Sequence, residues 1–362
     1  MPKKEKITTR DIARESGLSQ STVSMILSGR QDMKFTTETV EKVMNTASRL
    51  GYKYKGKPTK KENRTTKTIL IMCPSLSSQY YTTLIKAITE AAQEKHLHTL
   101  TAYTSRSVDI EEYYLHLAAE SGFYGIIYTY PPKAIDQINR LAKKHSFVMI
   151  SDYNPDIHAG YIEFDSKKSG KVIGRHLLGL GHTHVAFMTT PLSKAELPRI
   201  RRLEGLREAF ADAGLNPQNV EVFALTEEQW NHRLMGNLYY DAGYQLIMTN
   251  RNRIKKETTA FVGTNDIVSI GIMDALTQLG YSVPKDYSVC GFDNTLASTF
   301  SGISLTTIDH CVDIKGRDAV EMLMNQRKWL TLENKDKKQP LMRLEYQPQL
   351  QIRKSTGRAR KH

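Results

Sequence analysis

The chain has 362 residues, 40% of them hydrophobic and 25% charged, with a formal net charge of +13. Such a length supports two or three domains with proper cores, and the composition is that of a globular protein without membrane spans. Three cysteines, Cys73, Cys290 and Cys311, are too few and too scattered for a disulfide framework or a zinc site, and read as small buried hydrophobes.

The charge is unevenly placed. Residues 1–67 carry 16 Lys and Arg against 7 Asp and Glu, residues 353–362 carry 5 against none, and the large middle is neutral at 30 against 31. Cations gathered at the ends of a neutral body argue for contact with a polyanion, because counterion release acts where positive charge clusters. The polar start "MPKKEKITTR" is followed by no apolar stretch of a signal peptide, so the chain is expected to act in the cytoplasm.

The first 55 residues read as three short helices. "TTRDIARESG" is capped at Thr8 or Thr9, turns Ile12, Ala13 and Ser16 to one face and ends at Gly17. "SQSTVSMIL" starts from a Ser19 cap and buries Val23, Ile26 and Leu27, leaving Gln20, Ser21, Ser24, Met25 and Ser28 outward. "TTETVEKVMNTASRLG" carries Val40, Val43, Met44, Ala47 and Leu50 at helical spacing. Two helices joined by a tight Gly-containing turn and braced by a third form a helix-turn-helix, whose second helix can enter a DNA major groove.

"ITTRDIARESGLSQSTVSMILSG" together with "RLGYKYK" resembles the headpiece of the lactose-repressor (LacI/GalR) family of bacterial transcription regulators. The resemblance implies phosphate contacts from Thr8 and Thr9, backbone and groove contacts from Ser19, Thr22, Ser24, Ser28 and Tyr52, and base reading by Gln20 and Ser21. Met25 departs from the family's usual Arg. A thioether can press on a thymine methyl but cannot grip guanine with two hydrogen bonds.

Residues 56–67 read as a flexible basic linker. The stretch "GYKYKGKP" that leads into it, residues 51–58, mimics a phosphate-loop spacing but lacks the Ser or Thr and follows a helix, so that reading is discarded. Members of the family fold this linker into a hinge helix with a Leu wedge. Here Lys61 takes the wedge position and Pro58 interrupts the helix, which implies a lysine-based contact and a less bent operator.

Residues 68–353 alternate strand and helix. "TILIMC", "TLTAY", "GIIYTY" and "FVMIS" form one set of strands; "HVAFMTT", "VEVFAL", "YQLIMT", "TAFVG" and "YSVCGFD" form a second. Amphipathic stretches such as "TTLIKAITEAAQEK", "RRLEGLREAFADAG" and "DIVSIGIMDALTQLG" separate them. The expected fold class is therefore α/β: a small all-α helix-turn-helix headpiece, then a two-lobed core with parallel sheets, with ligands bound between the lobes. Residues 354–362 are expected to form a basic tail.

"RRLEGLREAFADAGL" and "GTNDIVSIGIMDALTQLGYSVPKDYSVCGFDN" resemble the same family's periplasmic-binding-protein-like core. From it Asp165, Arg202, Asn265, Asp293 and His310 are candidate polar contacts to an effector, with Tyr80 or Tyr81 as an aromatic platform. A carbohydrate, with paired hydroxyls and an apolar face, suits such a set. Asp293 could equally cap a turn, and Asn265 the helix that follows.

No hydrolase elbow, complete phosphate loop, H-E-x-x-H or Cys–His constellation occurs, so no catalytic residues, metal or cofactor are assigned. His182 and His184 in "GHTHV" read as structural. The expected function is a DNA-binding transcription regulator, a repressor that binds double-stranded operator as a homodimer and responds to a small molecule. The alternatives are a sugar-binding protein without DNA function and a regulator switched by a protein partner.

Overall fold

Residues 7–28, 35–52, 67–192, 197–231, 238–331 and 341–360 are described in a computed structural model, and they fall into two units that divide between Arg64 and Thr65. In the smaller unit the helices are α1 (Thr9–Ser16), α2 (Gln20–Leu27) and α3 (Thr37–Arg49). Thr8 caps α1 in a reciprocal box: its N–H and hydroxyl donate to the Asp11 carboxylate at 2.9 and 2.8 Å. Gly17 ends the helix at φ 67°, and Ser19 caps α2 by accepting from the Thr22 N–H at 3.1 Å. Caps of this kind contribute about 1 kcal/mol each, a sizeable share in so small a unit.

Ile12, Ala13, Val23, Leu27, Val43 and Ala47 form the headpiece core, with Leu18, Ile26, Leu50 and Tyr52 against it. Met44, expected inside, is 54% exposed. Val43 and Ala47 set the inward stripe of α3, and Thr46 lies on it, while Met44 falls on the flank. The Thr46 hydroxyl makes burial tolerable by donating to the Lys42 carbonyl at 2.7 Å.

The larger unit runs, in chain order, through β1 (Thr68–Cys73), α4 (Gln79–Glu94), β2 (His98–Tyr103), α5 (Val108–Ser121), β3 (Gly125–Tyr128), α6 (Ile135–Leu141), β4 (Phe147–Ile150), β5 (Gly160–Phe164), α7 (Ser166–Gly179) and β6 (Val185–Thr189). It continues with α8 (Leu197–Asp212), β7 (Val220–Ala224), α9 (Glu227–Asn231), α10 (Leu238–Asn250), β8 (Ala260–Gly263), α11 (Asp266–Gln278), β9 (Ser288–Phe292), β10 (Thr306–Asp309), α12 (Val312–Thr331), β11 (Arg343–Tyr346) and β12 (Gln349–Gln351).

Two six-stranded sheets result, ordered β11-β5-β4-β3-β1-β2 and β12-β10-β9-β8-β6-β7, parallel throughout except for the β10–β12 pair. Both faces of the central strands are covered. Leu70 and Met72 pack into one cluster while Ile69 and Ile71 pack into another, which is why the strands read as unbroken apolar runs.

The lobes are interleaved along the chain. After β5 the chain enters the second lobe at α7, returns through α12 and β11, and crosses once more into β12. In the first lobe α12 packs Ala319, Val320 and Leu323 beside Leu84 and Ile88 of α4.

Two expectations are corrected. "YQLIMT" is not a strand but part of α10, whose buried Ala242, Gly243, Leu246 and Ile247 repeat at helical spacing; so short an apolar run fits either period. Residues 354–360, expected as part of a basic tail, are not free. The Ser355 N–H donates to the Ser304 carbonyl at 3.1 Å, the Val289 N–H to the Ser355 carbonyl at 2.8 Å, and the Ala359 N–H to the Leu180 carbonyl at 2.9 Å. These bonds fasten residues up to 360 onto the second lobe.

His182 is part of the same seam, its ring nitrogens 2.8 Å from the Thr259 hydroxyl and 3.0 Å from the Gly357 carbonyl. Cys73 and Cys290 are buried and Cys311 is half-buried. Among the described residues no helix is long and apolar enough to cross a membrane.

Candidate functional site

The headpiece presents the outer side of α2. Ser21, Ser24 and Ser28 are exposed and Met25 is half-buried. Gln20 is exposed but held: its amide donates to Thr9 Oγ1 at 3.4 Å and its carbonyl accepts from Arg10 Nε at 3.2 Å. Ser19 Oγ lies 2.8 Å from both the Ser21 and Thr22 hydroxyls, so these three oxygens share the cap. The Ser28 hydroxyl donates to the Met25 carbonyl at 3.0 Å. Tyr52 packs on the headpiece core. Lys61 and Pro58, on which the hinge expectation rests, lie outside the described residues.

The second candidate site is a cleft of about 800 Å³, its open mouth included, at the carboxyl ends of the strands of both lobes. Tyr80, Tyr81, Arg202, Asn265, Asp293 and His310 all line it. Asp165 does not. It caps α7 by accepting from the Lys168 N–H at 3.0 Å, because the chain turns into that helix immediately after β5. Asn265 does both jobs, capping α11 through its carbonyl oxygen, 2.9 Å from the Val268 nitrogen, while its residue faces the cleft.

Arg202 is the hub. Its guanidinium donates to the Thr264 carbonyl, donates to His310 Nε2 at 3.2 Å, stands 3.7 Å from Asp293 Oδ1 and lies 4.5 Å above the Phe292 ring. By accepting from Arg202, His310 Nε2 shows itself unprotonated. Burial first, then the Arg202 and Lys315 charges, hold the imidazole well below its usual pKa. The 3.4 Å approach of His310 to Asp293 is therefore between a neutral ring and a carboxyl group. Burial pushes the Asp293 carboxyl upward, and Arg202 opposes it.

Two helix crossings place this hub. A Cβ on Gly170 of α7 would lie 1.9 Å from the Arg202 carbonyl oxygen, and one on Gly205 of α8 would lie 1.8 Å from that of Lys167. Only glycine lets the helices meet so closely, and that contact drives the start of α8 into the cleft.

The loop after β9 is strained, with Asp293 at φ 116° and Asn294 at φ 49°. Non-glycine residues in this region cost about 1–3 kcal/mol each and persist only where neighbours fix them. Here Arg353 does so, donating to Asn294 Oδ1 at 2.5 Å and to the Leu305 carbonyl at 2.8 Å.

Aromatic faces complete the cleft. Tyr80 meets Tyr81 edge-on at 5.1 Å and His310 at 5.6 Å, and Phe164 lies 4.2 Å from His310. The Tyr81 hydroxyl accepts from Arg106 at 3.2 Å.

Comparison with known proteins agrees with this geometry. The sequence model of the periplasmic binding protein-like domain matches residues 175–356, half of the chain. The chain is 28% identical over 329 residues to the HTH-type transcriptional regulator MalR of Streptomyces coelicolor, covering 88% of this chain and 90% of that protein. Its fold is similar to a LacI-family regulator from Enterococcus faecium with bound ribose, at TM-score 0.67 and 22% identity over 81% of this chain and all of that one. It is similar also to the lac repressor dimer bound to operator and an anti-inducer, at TM-score 0.65 and 23% identity over 98% of this chain and all of that one.

The chain belongs to the LacI/GalR family of transcription regulators. The family is not enzymatic, and among the described residues of this LacI-family regulator no group of His, Cys, Asp or Glu stands close enough to hold a metal ion.

Sequence reasoning missed several residues of this regulator's cleft. Asp152, 3% exposed, is engaged by the Ser166 N–H at 3.0 Å, the Ser166 hydroxyl at 2.9 Å and Arg201 at 3.3 Å. Arg106 and Arg199 also line the walls. Lys315, 1% exposed, projects from α12 with its ammonium 4.2 Å from the centre of the Phe164 ring. Burial pushes its pKa down to about 7. Its signal was available: on α12 the series Lys315, Ala319, Met322, Leu323 keeps one face, so a cation occupies a position whose helical partners are all buried.

Proposed function

We propose that this protein is a homodimeric transcriptional repressor acting in the cytoplasm, whose affinity for a two-fold symmetric operator changes when a small polyhydroxylated molecule binds between its lobes. The observation that carries the reading is a helix-turn-helix headpiece in the same chain as a cleft built of fixed polar groups and aromatic walls. Arg202, Asp293 and Asn265 supply a donor fork, an acceptor and an amide for paired hydroxyls, and Tyr80 and Phe164 supply apolar faces for a sugar ring. The ribose found in the Enterococcus faecium relative supports a carbohydrate as the effector class.

One headpiece reads only a half-site, so paired half-sites require two chains. Leu76, Leu100, Tyr103, Val108, Ile110 and Tyr113, all exposed, lie on β2, α5 and the loop before α4, at the β2 edge of the first sheet. That edge is the proposed contact between copies, in keeping with the dimeric lac repressor to which the fold is similar. Gln20, Ser21 and Met25 read base edges, with Thr8, Thr9, Ser19, Thr22, Ser24 and Ser28 holding phosphate and groove.

Selection of bound DNA from a random library by the full-length protein tests the proposal. A palindromic consensus, and its loss on removal of residues 1–55 with the core still folded, is expected. A protein that selects no sequence yet binds sugar would be a free-standing binder.

A further inference from the structure

Lys315 is the one charged group of the cleft that the effector reading leaves without work. The other fixed charges have partners. Asp152 holds Ser166 and Arg201, Asp293 faces Arg202, and Arg202 is spread over Thr264, His310 and Phe292. Among the described residues Lys315 Nζ makes no hydrogen bond or ion pair; it stands 4.2 Å from the centre of the Phe164 ring, with the Asp152 and Asp293 carboxylates as more distant opposite charges. A lysine taken out of water with no ion-pair partner is costly to keep charged, and stays in a folded protein where something other than stability requires it.

We propose that the cleft takes an anionic effector, a polyhydroxylated molecule bearing one phosphate or carboxylate group, and that this anion seats on Lys315. The inference rests on the effector reading above and sharpens its ligand class. Geometry separates the two halves of such a ligand. The hydroxyl-recognising groups Arg202, Asn265 and Asp293 belong to the second lobe, while Lys315 and the ring beneath it belong to α12 and β5 of the first. A ligand bridging them would tie the lobes together, and an ion pair formed in a water-poor site is stronger than one formed at a surface. Arg106 and Arg199, also in the lining, add positive potential around the same space.

The test begins with inorganic phosphate on the full-length protein. At constant ionic strength, exchanging chloride for phosphate is expected to raise the melting midpoint of the wild type more than that of Lys315→Met, which keeps only the general salting effect, with Lys315→Ala as a second variant. A phosphate effect of equal size in wild type and variants, or none in the wild type, overturns the proposal.

D-glucose, glucose 6-phosphate and gluconate then form the second arm. The anionic sugars are expected to bind about 10- to 100-fold more tightly than glucose, and to lose that margin in Lys315→Met. The better of the two anions identifies phosphate or carboxylate as the source. Neutral glucose bound more tightly than both anions, and equally by wild type and Lys315→Met, refutes the anionic class while leaving a sugar effector standing. An anion that binds through Lys315 without altering operator affinity has the opposite meaning: the subsite holds and the regulatory reading fails.

Discussion

Gly205→Ala asks whether the α7–α8 contact builds the effector site. The added Cβ would lie 1.8 Å from the Lys167 carbonyl oxygen and 2.9 Å from the Lys171 nitrogen, where real Cβ contacts are essentially never under 3.0 Å. Those neighbours are backbone, so no side chain can swing away, and the helices must part by roughly 1 Å to relieve the overlap. The separation loosens Leu206, Ala209 and Phe210 against Ile173 and Leu177, and it lifts Arg202, one turn earlier on α8, away from Thr264 and Asp293. Overpacking against backbone belongs at the upper end of core substitutions, about 3 kcal/mol, or roughly 5 °C in the melting midpoint of a core this size. Loss of charged hydrogen bonds from Arg202 lowers the affinity of whichever sugar binds the wild type by about tenfold or more. Scanning calorimetry and ligand titration measure both. Gly179→Ala, on α7 with nothing within 4 Å of its Cβ, is the control and leaves both unchanged. A Gly205→Ala midpoint within about 2 °C of wild type, with unaltered ligand affinity, refutes the reasoning.

Lys315 gives a signed pH dependence. Its folded pKa of about 7 lies below the ordinary 10.5, so between these values the unfolded chain holds a proton that the folded chain does not. Core stability contributed by this group is full above the ordinary value and falls as pH drops toward 7, by at most about 1.4 kcal/mol per unit. The difference between wild type and Lys315→Met, melted across pH 7–10, should show that slope, shaped by the facing Cys311, Asp152, Arg202 and Asp293; a flat difference contradicts it. Arg353→Ala, outside the cleft lining, should weaken effector binding severalfold by releasing the Asn294 loop that carries Asp293, as calorimetric titration would reveal. Met25→Arg should move the selected operator toward guanine at one position in each half-site, and an unchanged consensus would mean that α2 docks differently.

Much of the fold was legible. The alternation of apolar runs with amphipathic stretches gave two parallel sheets, because strands buried on both faces must be apolar at every position. The headpiece was legible for a different reason: Thr8, Gly17 and Ser19 act through their own neighbouring backbone, so caps and turns are local facts. Short polar strands escaped. β11 and β12, "RLEY" and "QLQ", have no apolar period and exist only because an edge of each sheet is open to them.

At the cleft the division is similar. Arg202, Asn265, Asp293 and His310 could be named in advance through the resemblance to the family's core. Asp165 was named the same way, yet its carboxylate turns to its own helix. By itself the sequence determined which segments fold as helix or strand and that a basic reading head precedes a neutral two-lobed body, since caps, periodicity and charge are properties of neighbours along the chain. The tertiary structure alone decided that α12 and β11 return to the first lobe, that the basic end fastens the Asp293 loop, and that Lys315 faces Asp293 and Arg202 across one cleft. These are contacts between residues tens to hundreds of positions apart, and only packing of the finished sheets brings them together.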